Sequence, residues 1–155
     1  MAIHKISLKV NGQQEELEVP SNMTLMTMLR EILILTGTKN ACSNGQCGAC
    51  TVLMNGQPVQ SCLVLAVEAD GAEIVTVEGL SKNGKLIPLQ ELMIEKGAVQ
   101  CGFCTPGMVM TAYALLQRNP KPTEEQIREA ISGNICRCSG FVQLVEAIQA
   151  AANLQ

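Results

Sequence analysis

Aromatic side chains are nearly missing from these 155 residues: there is no Trp, one Tyr (Tyr113) and two Phe (Phe103 and Phe141). Proteins that hold single-stranded nucleic acid stack bases on such rings, so the usual platform is lacking. Positive charge is thin as well. Eleven Lys and Arg against fourteen Asp and Glu leave a net charge of −3, with no basic run, and the electrostatic footprint of a nucleic-acid partner is missing. Only one His is present, His4, so neither a histidine triad nor a histidine facial metal site can be assembled. It stands at the start of an alternating stretch and reads as an ordinary strand end. The paired carboxylates, such as Glu15-Glu16 and Glu124-Glu125, read as solvated faces, and no acid–base constellation emerges. No catalytic residue is therefore assigned. Apolar runs are too short to cross a bilayer. The first residues show no long apolar leader core and no twin arginine, so a soluble, cytoplasmic chain without membrane insertion is expected.

What the chain does have is cysteine, eight of them. In a reducing compartment that number points to metal ligation and not to disulfides, which leaves a secreted disulfide scaffold as a poor alternative. Hydrophobic content of 47% with 16% charge supports a packed core, so the chain is not of the disordered class. Cys42, Cys47 and Cys50 fall in C-x4-C-x2-C spacing, and Cys62 follows Cys50 by twelve positions. That is the plant-type [2Fe–2S] ferredoxin pattern, with the fourth thiolate supplied from further along. A hairpin explains the return. Thr51–Met54 favours a strand, Asn55-Gly56 is a strong two-residue turn signal, and Gln57–Ser61 runs back. Residue 54 then faces 57, residue 50 faces 61, and Cys62 arrives beside Cys50. Gly45 and Gly48 let the loop wrap closely around an anionic cluster, and Ser43 and Asn44 suit its tight turn.

Read in order, residues 4–10 alternate with Ile6, Leu8 and Val10 inward, Asn11-Gly12 turns, and Glu15–Val19 returns. Thr24 caps a helix from about Leu25 whose core face is Leu25, Met28, Leu29 and Ile32, ended by Gly37. Glu73–Val77 closes the sheet. This order predicts a β-grasp ferredoxin-type domain over residues 1–78. The polar stretch 79–85 reads as a linker, and the strand signals then vanish. Pro88 opens a helix ending near Gly97. Pro106 opens another with Val109, Ala112, Tyr113 and Leu116 on one stripe, closed by Asn119-Pro120. Thr123 to Gln126 is a capping box for a helix burying Ile127, Ala130 and Ile131. Ser139 is positioned to cap the last helix, with Phe141, Leu144, Val145 and Ile148 inward. Residues 86–155 thus predict a four-helix bundle, and the whole an α+β chain.

The remaining cysteines are Cys101, Cys104, Cys136 and Cys138. Cys104 and Cys138 each lie just before a predicted helix, so two positive helix ends face one set of thiolates. Gly102 and Gly133 allow tight turning. A structural zinc site fits this C-x2-C plus C-x-C set locally. A second Fe–S cluster fits it too, and is favoured because the first half already carries a redox pattern. A freely diffusing ferredoxin is the other functional alternative, although a shuttle has no need of a second helical domain.

Gly37-Thr-Lys with Cys42-Ser-Asn-Gly-Gln-Cys-Gly-Ala-Cys-Thr-Val, Gln100-Cys-Gly-Phe-Cys-Thr-Pro-Gly-Met and Ser132-Gly-Asn-Ile-Cys-Arg-Cys-Ser-Gly-Phe together resemble the small iron–sulfur subunit of the molybdenum hydroxylases, the xanthine oxidase and xanthine dehydrogenase family. The resemblance spans nearly the whole chain. Ala41 stands where that family usually has Gly, and Ser139-Gly140-Phe141 where Thr-Gly-Tyr is common; neither departure removes a cysteine. The resemblance implies two [2Fe–2S] clusters that relay electrons within a heteromeric oxidoreductase. It implies a large partner subunit carrying molybdopterin–molybdenum, on which an N-heterocycle, purine or aldehyde is hydroxylated. It also implies an FAD-binding medium subunit as the onward acceptor. Cys138 would touch the pterin and Gln100 would hydrogen-bond near it; read without the resemblance, Gln100 is equally a polar loop residue.

Overall fold

The computed structural model describes residues 2–81 and 83–154; Met1, Lys82 of the expected linker and Gln155 lie outside the described residues. Strands β1 (Ile3–Val10) and β2 (Gln13–Pro20) form the first hairpin, β3 (Thr51–Met54) and β4 (Gln57–Gln60) the second, and β5 (Glu73–Val75) joins them. The sheet order is β2-β1-β5-β3-β4. β5 runs parallel to β1 and antiparallel to β3, which is the mixed sheet of a β-grasp. Alternation along β1 puts Ile6, Leu8 and Val10 into a core with Val19, Leu25, Met28, Leu29, Val52 and Ile74.

Both Asn-Gly turns adopt positive φ at both residues, 49° and 85° at Asn11-Gly12 and 51° and 77° at Asn55-Gly56. This is the twist that two-residue hairpins need. Each Asn also reaches sideways. Asn11 Oδ1 accepts from Thr76 N at 2.9 Å, and Asn55 Oδ1 accepts from Glu73 N at 2.9 Å. The two turns thereby clamp the two ends of the short strand between them, and Val77, expected in that strand, instead opens a 3-10 turn.

The first helix departs from expectation. α1 (Leu25–Thr27), capped by Thr24, passes at once into a π-helical turn over Met28–Ile32, closed by Leu33 N donating to Met28 O at 3.1 Å. The wider turn rotates the face, so Ile32 is exposed, while Met26, before the turn, is buried in a separate group. The element ends at Leu33 with Ile34 in the left-handed region, before Gly37 is reached.

Four helices follow: α2 (Pro88–Glu95), α3 (Thr105–Arg118), α4 (Glu124–Ile131) and α5 (Phe141–Ala152). The capping box forms, with Gln126 N donating to Thr123 Oγ1 at 3.3 Å and Thr123 N to Gln126 Oε1 at 2.9 Å. α3 is not a one-stripe helix. Residues Gly107 to Ala112 and Ala114 to Leu116 are all buried, the mark of a helix covered on every side. It lies between the other helices and strand β3, so Leu53 of the sheet belongs to the helical core, together with Leu80. Tyr113, expected inward, is only partly buried, as are Ala130 and Phe141.

Candidate metal centres

The β3–β4 register pairs Met54 with Gln57 and Thr51 with Gln60, as the turn requires. Ser61 then closes on Cys50, its Oγ donating to Cys50 O at 2.7 Å, and Cys62 is delivered beside Cys50. Met26, Cys50 and Cys62 form a small buried group of their own. Burial pushes the Cys50 thiol up to about 11, with Cys62 beside it opposing a second charge. Cys42 is the opposite. The N–H of Asn44 aimed at its sulfur, then the neighbouring Cys47 thiol, hold it down at about 6, since donors to the thiolate favour the charged form. Segment 38–39 is stitched to this loop by Lys39 N donating to Ala49 O at 3.3 Å and to the first helix by Arg30 Nη1 donating to Thr38 O at 2.8 Å. The Thr38 hydroxyl is buried with no partner among the described residues, a free polar group beside the ligand loop.

The second set assembles at two helix starts. Cys104 is the N-cap of α3. Burial, then Cys136 and Cys101, push its thiol up to about 12. Cys101 is exposed and lowered by the Phe103 N–H and by Cys138. Cys136 is buried, which raises its thiol, but N–H groups from Gly140, Cys138 and Ser139 and the Cys104 thiol outweigh this and leave it lowered. Ser139 does not cap α5. Gly140 is the N-cap, and Ser139 sits at φ 57° with its N–H turned back to Cys136 O at 3.3 Å. The chain spends that residue on wrapping a sulfur. Gly133 likewise is not a turn requirement: its φ is not positive and a Cβ there would meet nothing. Gln100 Nε2 donates to Cys138 O at 3.3 Å.

Among the described residues no three such ligand types converge on one ion-sized point. Within each set the thiols are near enough to act on one another: Cys47 on Cys42, Cys62 on Cys50, Cys138 and Cys136 on Cys101, and Cys136 and Cys101 on Cys104. All eight are free thiols.

The two loops also touch each other. Ile135 N donates to Cys47 O at 2.9 Å, and Asn134 Nδ2 donates to Gly48 O at 2.9 Å. Gly48 has φ +66°, and a Cβ there would stand 2.5 Å from Gly133 O. A Cβ on Gly107, in the first turn of α3, would collide with Gly48 O. Sequence reasoning missed Asn134, Gly107, Thr111 and Thr38. A lone Asn in a polar loop reads as a turn residue, and no local pattern announces a long-range bond.

A β-grasp with a cysteine-bearing hairpin loop, joined to a helical bundle bearing a second cysteine set, defines a two-part ferredoxin-type iron–sulfur protein. Comparison agrees: residues 8–80 match the family described as 2Fe-2S iron-sulfur cluster binding domain, and residues 76–149 match the [2Fe-2S] binding domain. The chain is 49% identical to the nicotinate dehydrogenase small FeS subunit of Eubacterium barkeri, over 94% of this chain and 93% of that one. It is 50% identical to the nicotine 6-hydroxylase small subunit of Paenarthrobacter nicotinovorans, over 93% and 87%. Among solved structures, quinoline 2-oxidoreductase from Pseudomonas putida 86 superposes with a TM-score of 0.94 at 47% identity, over 97% of this chain and 93% of that chain. Aldehyde oxidoreductase from Desulfovibrio gigas gives 0.93 at 40%, but there the match is 17% of a longer chain. The chain belongs to the small iron–sulfur subunits of the molybdenum hydroxylase family, which are parts of oxidoreductases.

Proposed function

We propose that this chain is the electron-relay subunit of a molybdenum hydroxylase complex, with Cys42, Cys47, Cys50 and Cys62 holding one [2Fe–2S] cluster and Cys101, Cys104, Cys136 and Cys138 the other. The observation that carries this is the gathering of each set of four: the β3–β4 register returns Cys62 beside Cys50 behind the loop of Cys42 and Cys47, and Cys104 at the start of α3 meets the Cys136–Cys138 loop, to which Gln100 bonds from beside Cys101. A [2Fe–2S] cluster would take four thiolates, and each set offers four. A structural zinc site also takes four thiolates, and the match of residues 76–149 to the [2Fe-2S] binding domain favours iron over zinc. When bound, the clusters supply one-electron redox chemistry between a molybdopterin site on a large partner and an FAD-binding subunit or other acceptor.

The chain's own residues hold, shield and tune. N–H groups of Asn44, Gln46 and Cys47 point at Cys42, and those of Cys138, Ser139 and Gly140 at Cys136; such donors stabilise sulfur anions and raise potentials. Burial of Cys50 and Cys62 keeps water from the inner edge of the first set. Cys101 and Phe103 leave the outer edge of the second set open, with Ile135 56% exposed beside it. An apolar patch of this kind marks an interface, and we assign it to the large subunit, with Cys138 and Gln100 facing the pterin. Substrate is bound on that partner; relatives named for nicotinate, nicotine and quinoline favour an N-heterocycle. No described helix is long and apolar enough to cross a membrane, and a cytoplasmic site of action belongs to this proposal. So does the division into units 1–78 and 86–155 joined by 79–85. Iron and sulfide analysis with EPR of the reduced, co-purified complex tests the reading. Two distinct [2Fe–2S] signals are expected; bound zinc or a single species overturns the assignment for the helical half.

A further inference from the structure

We infer that Asn134 is a positioning residue whose one buried amide locks the two cysteine loops together and so fixes the separation of the two clusters. This rests on the two-cluster reading above. Asn134 is only 5% exposed and is not itself a ligand type. Its Nδ2 donates to Gly48 O at 2.9 Å, and its Oδ1 accepts from Thr111 Oγ1 at 2.9 Å. A single side chain therefore joins the loop of Cys47 and Cys50, the helix that Cys104 caps, and the loop of Cys136. The amide orientation is fixed by chemistry, because a carbonyl oxygen cannot donate and the nitrogen must face Gly48.

A local role accounts poorly for this arrangement. The turn that contains Asn134 is already closed by its own backbone, Asn134 N donating to Ile131 O at 2.9 Å. Gly48 O is already satisfied by Thr51 Oγ1 at 2.7 Å and Thr51 N at 3.2 Å. Neither group needs the amide for itself, and what the amide adds is the bond between them. Beside it, Ile135 N donates to Cys47 O at 2.9 Å, which leaves one hydrogen bond and a few covalent bonds between Cys47 and Cys136. The lock holds that contact shut. Burial excludes the water that would otherwise compete for it.

The test uses the complete iron-loaded complex with Asn134→Leu, which keeps the branching at Cγ and removes both bonds, and with Thr111→Val, which removes only the group that orients the amide. Hydrogen–deuterium exchange is read in residues 46–50 and 133–137, together with iron content and the EPR splitting between the two reduced clusters. For Asn134→Leu we expect full iron, exchange about tenfold faster in both segments, and a changed splitting. Thr111→Val moves both segments the same way by less. Faster exchange confined to 133–137, or an unchanged splitting with unchanged exchange, overturns the lock. If Asn134→Leu does not fold, Thr111→Val decides alone, and unaltered exchange in 46–50 overturns it. If the wild type lacks a pair of clusters, the two-cluster reading fails, while the exchange at 46–50 still decides whether the loops are locked.

Discussion

The first cysteine set comes from one continuous loop and the hairpin behind it, whereas the second is gathered from two loops separated by two whole helices, α3 and α4. The first closes once Asn55-Gly56 has turned. The second closes only when α3 and α4 have packed, which costs more loop entropy. In spite of this the two sets reach a similar electrostatic layout. Each has an outer thiol lowered by backbone N–H groups, Cys42 and Cys101, and one raised by burial, Cys50 and Cys104, and the second set adds Cys136, buried and yet lowered. Local and long-range assembly therefore share a lowered outer thiol and a raised buried one, and they part at Cys136, where N–H groups outweigh burial. The two routes differ in what breaks them.

The largest effect is expected where the halves meet. Gly107→Val drives a branched side chain into Gly48 O, a backbone atom that cannot swing aside. The clash forces α3 away from the ligand loop and costs about 3 kcal/mol or more, at the upper end for overpacking. Both EPR signals should weaken together, with a clear fall in Tm. Loss of the helical signal alone would mean that the halves are less closely interlocked than their contacts indicate.

Gly56→Val should separate the halves. Nothing crowds a Cβ at Gly56, but its φ is +77°, and the left-handed region costs a branched residue about 1–3 kcal/mol. The strain falls on the register that returns Cys62. The first cluster's signal should weaken while the second persists. Equal loss of both would argue that the hairpin serves the sheet under α3 more than the ligand loop.

These outcomes also mark how far the sequence could be read. The hairpin, the capping box at Thr123 and the cysteine spacings depend on residues within a few positions of one another, so they were legible. The π-helical turn at Met28–Ile32 was not, because its wider turn departs from the i, i+3, i+4 spacing that put Ile32 on the core face. Ser139 looked like a cap and is instead bent to turn N–H groups onto Cys136. The contact across 86 positions between Asn134 and Gly48 leaves no trace in either local pattern. Leu53 and Leu80 sit in the helical core although sequence assigned the first to the β domain and the second to a linker.

Thiol reactivity sharpens the comparison further. In the metal-free chain at pH 7, a thiol held at about 6 is mostly thiolate and one at about 11 is almost wholly protonated. Alkylation proceeds through the thiolate. Timed alkylation with peptide mapping should label Cys42 and Cys101 first and Cys50 and Cys104 last, with Cys136, lowered but buried, between them. Raising the pH should speed the late pair more than the early pair, because Cys42 is already ionised. If both early sites lie in one half, the shared layout is wrong.

The smallest effect is expected at Arg137, and it distinguishes the two sets by their surroundings. Arg137 is an exposed cation between Cys136 and Cys138, and among the described residues the salt bridges involve Lys5, Lys9, Arg30 and Arg128 and not Arg137. The first set has no cation between adjacent ligands: Ser43 to Gln46 and Gly48-Ala49 are uncharged. Arg137→Glu replaces attraction toward anionic sulfur by repulsion, and repulsion stabilises the oxidised state with its lower negative charge. The potential of the second cluster should fall, on the order of tens of millivolts for an exposed charge at moderate ionic strength. The first cluster, screened by intervening protein and not adjacent in sequence, should shift less. Because Ile135 and Phe103 are exposed on the same end, a reversed charge there should also slow assembly with the large subunit. Redox titration of both signals, with gel filtration of the complex, reads the two effects separately. A shift of equal size in both clusters would make Arg137 a contributor to overall charge only, and normal assembly at an unshifted potential would remove it from the interface.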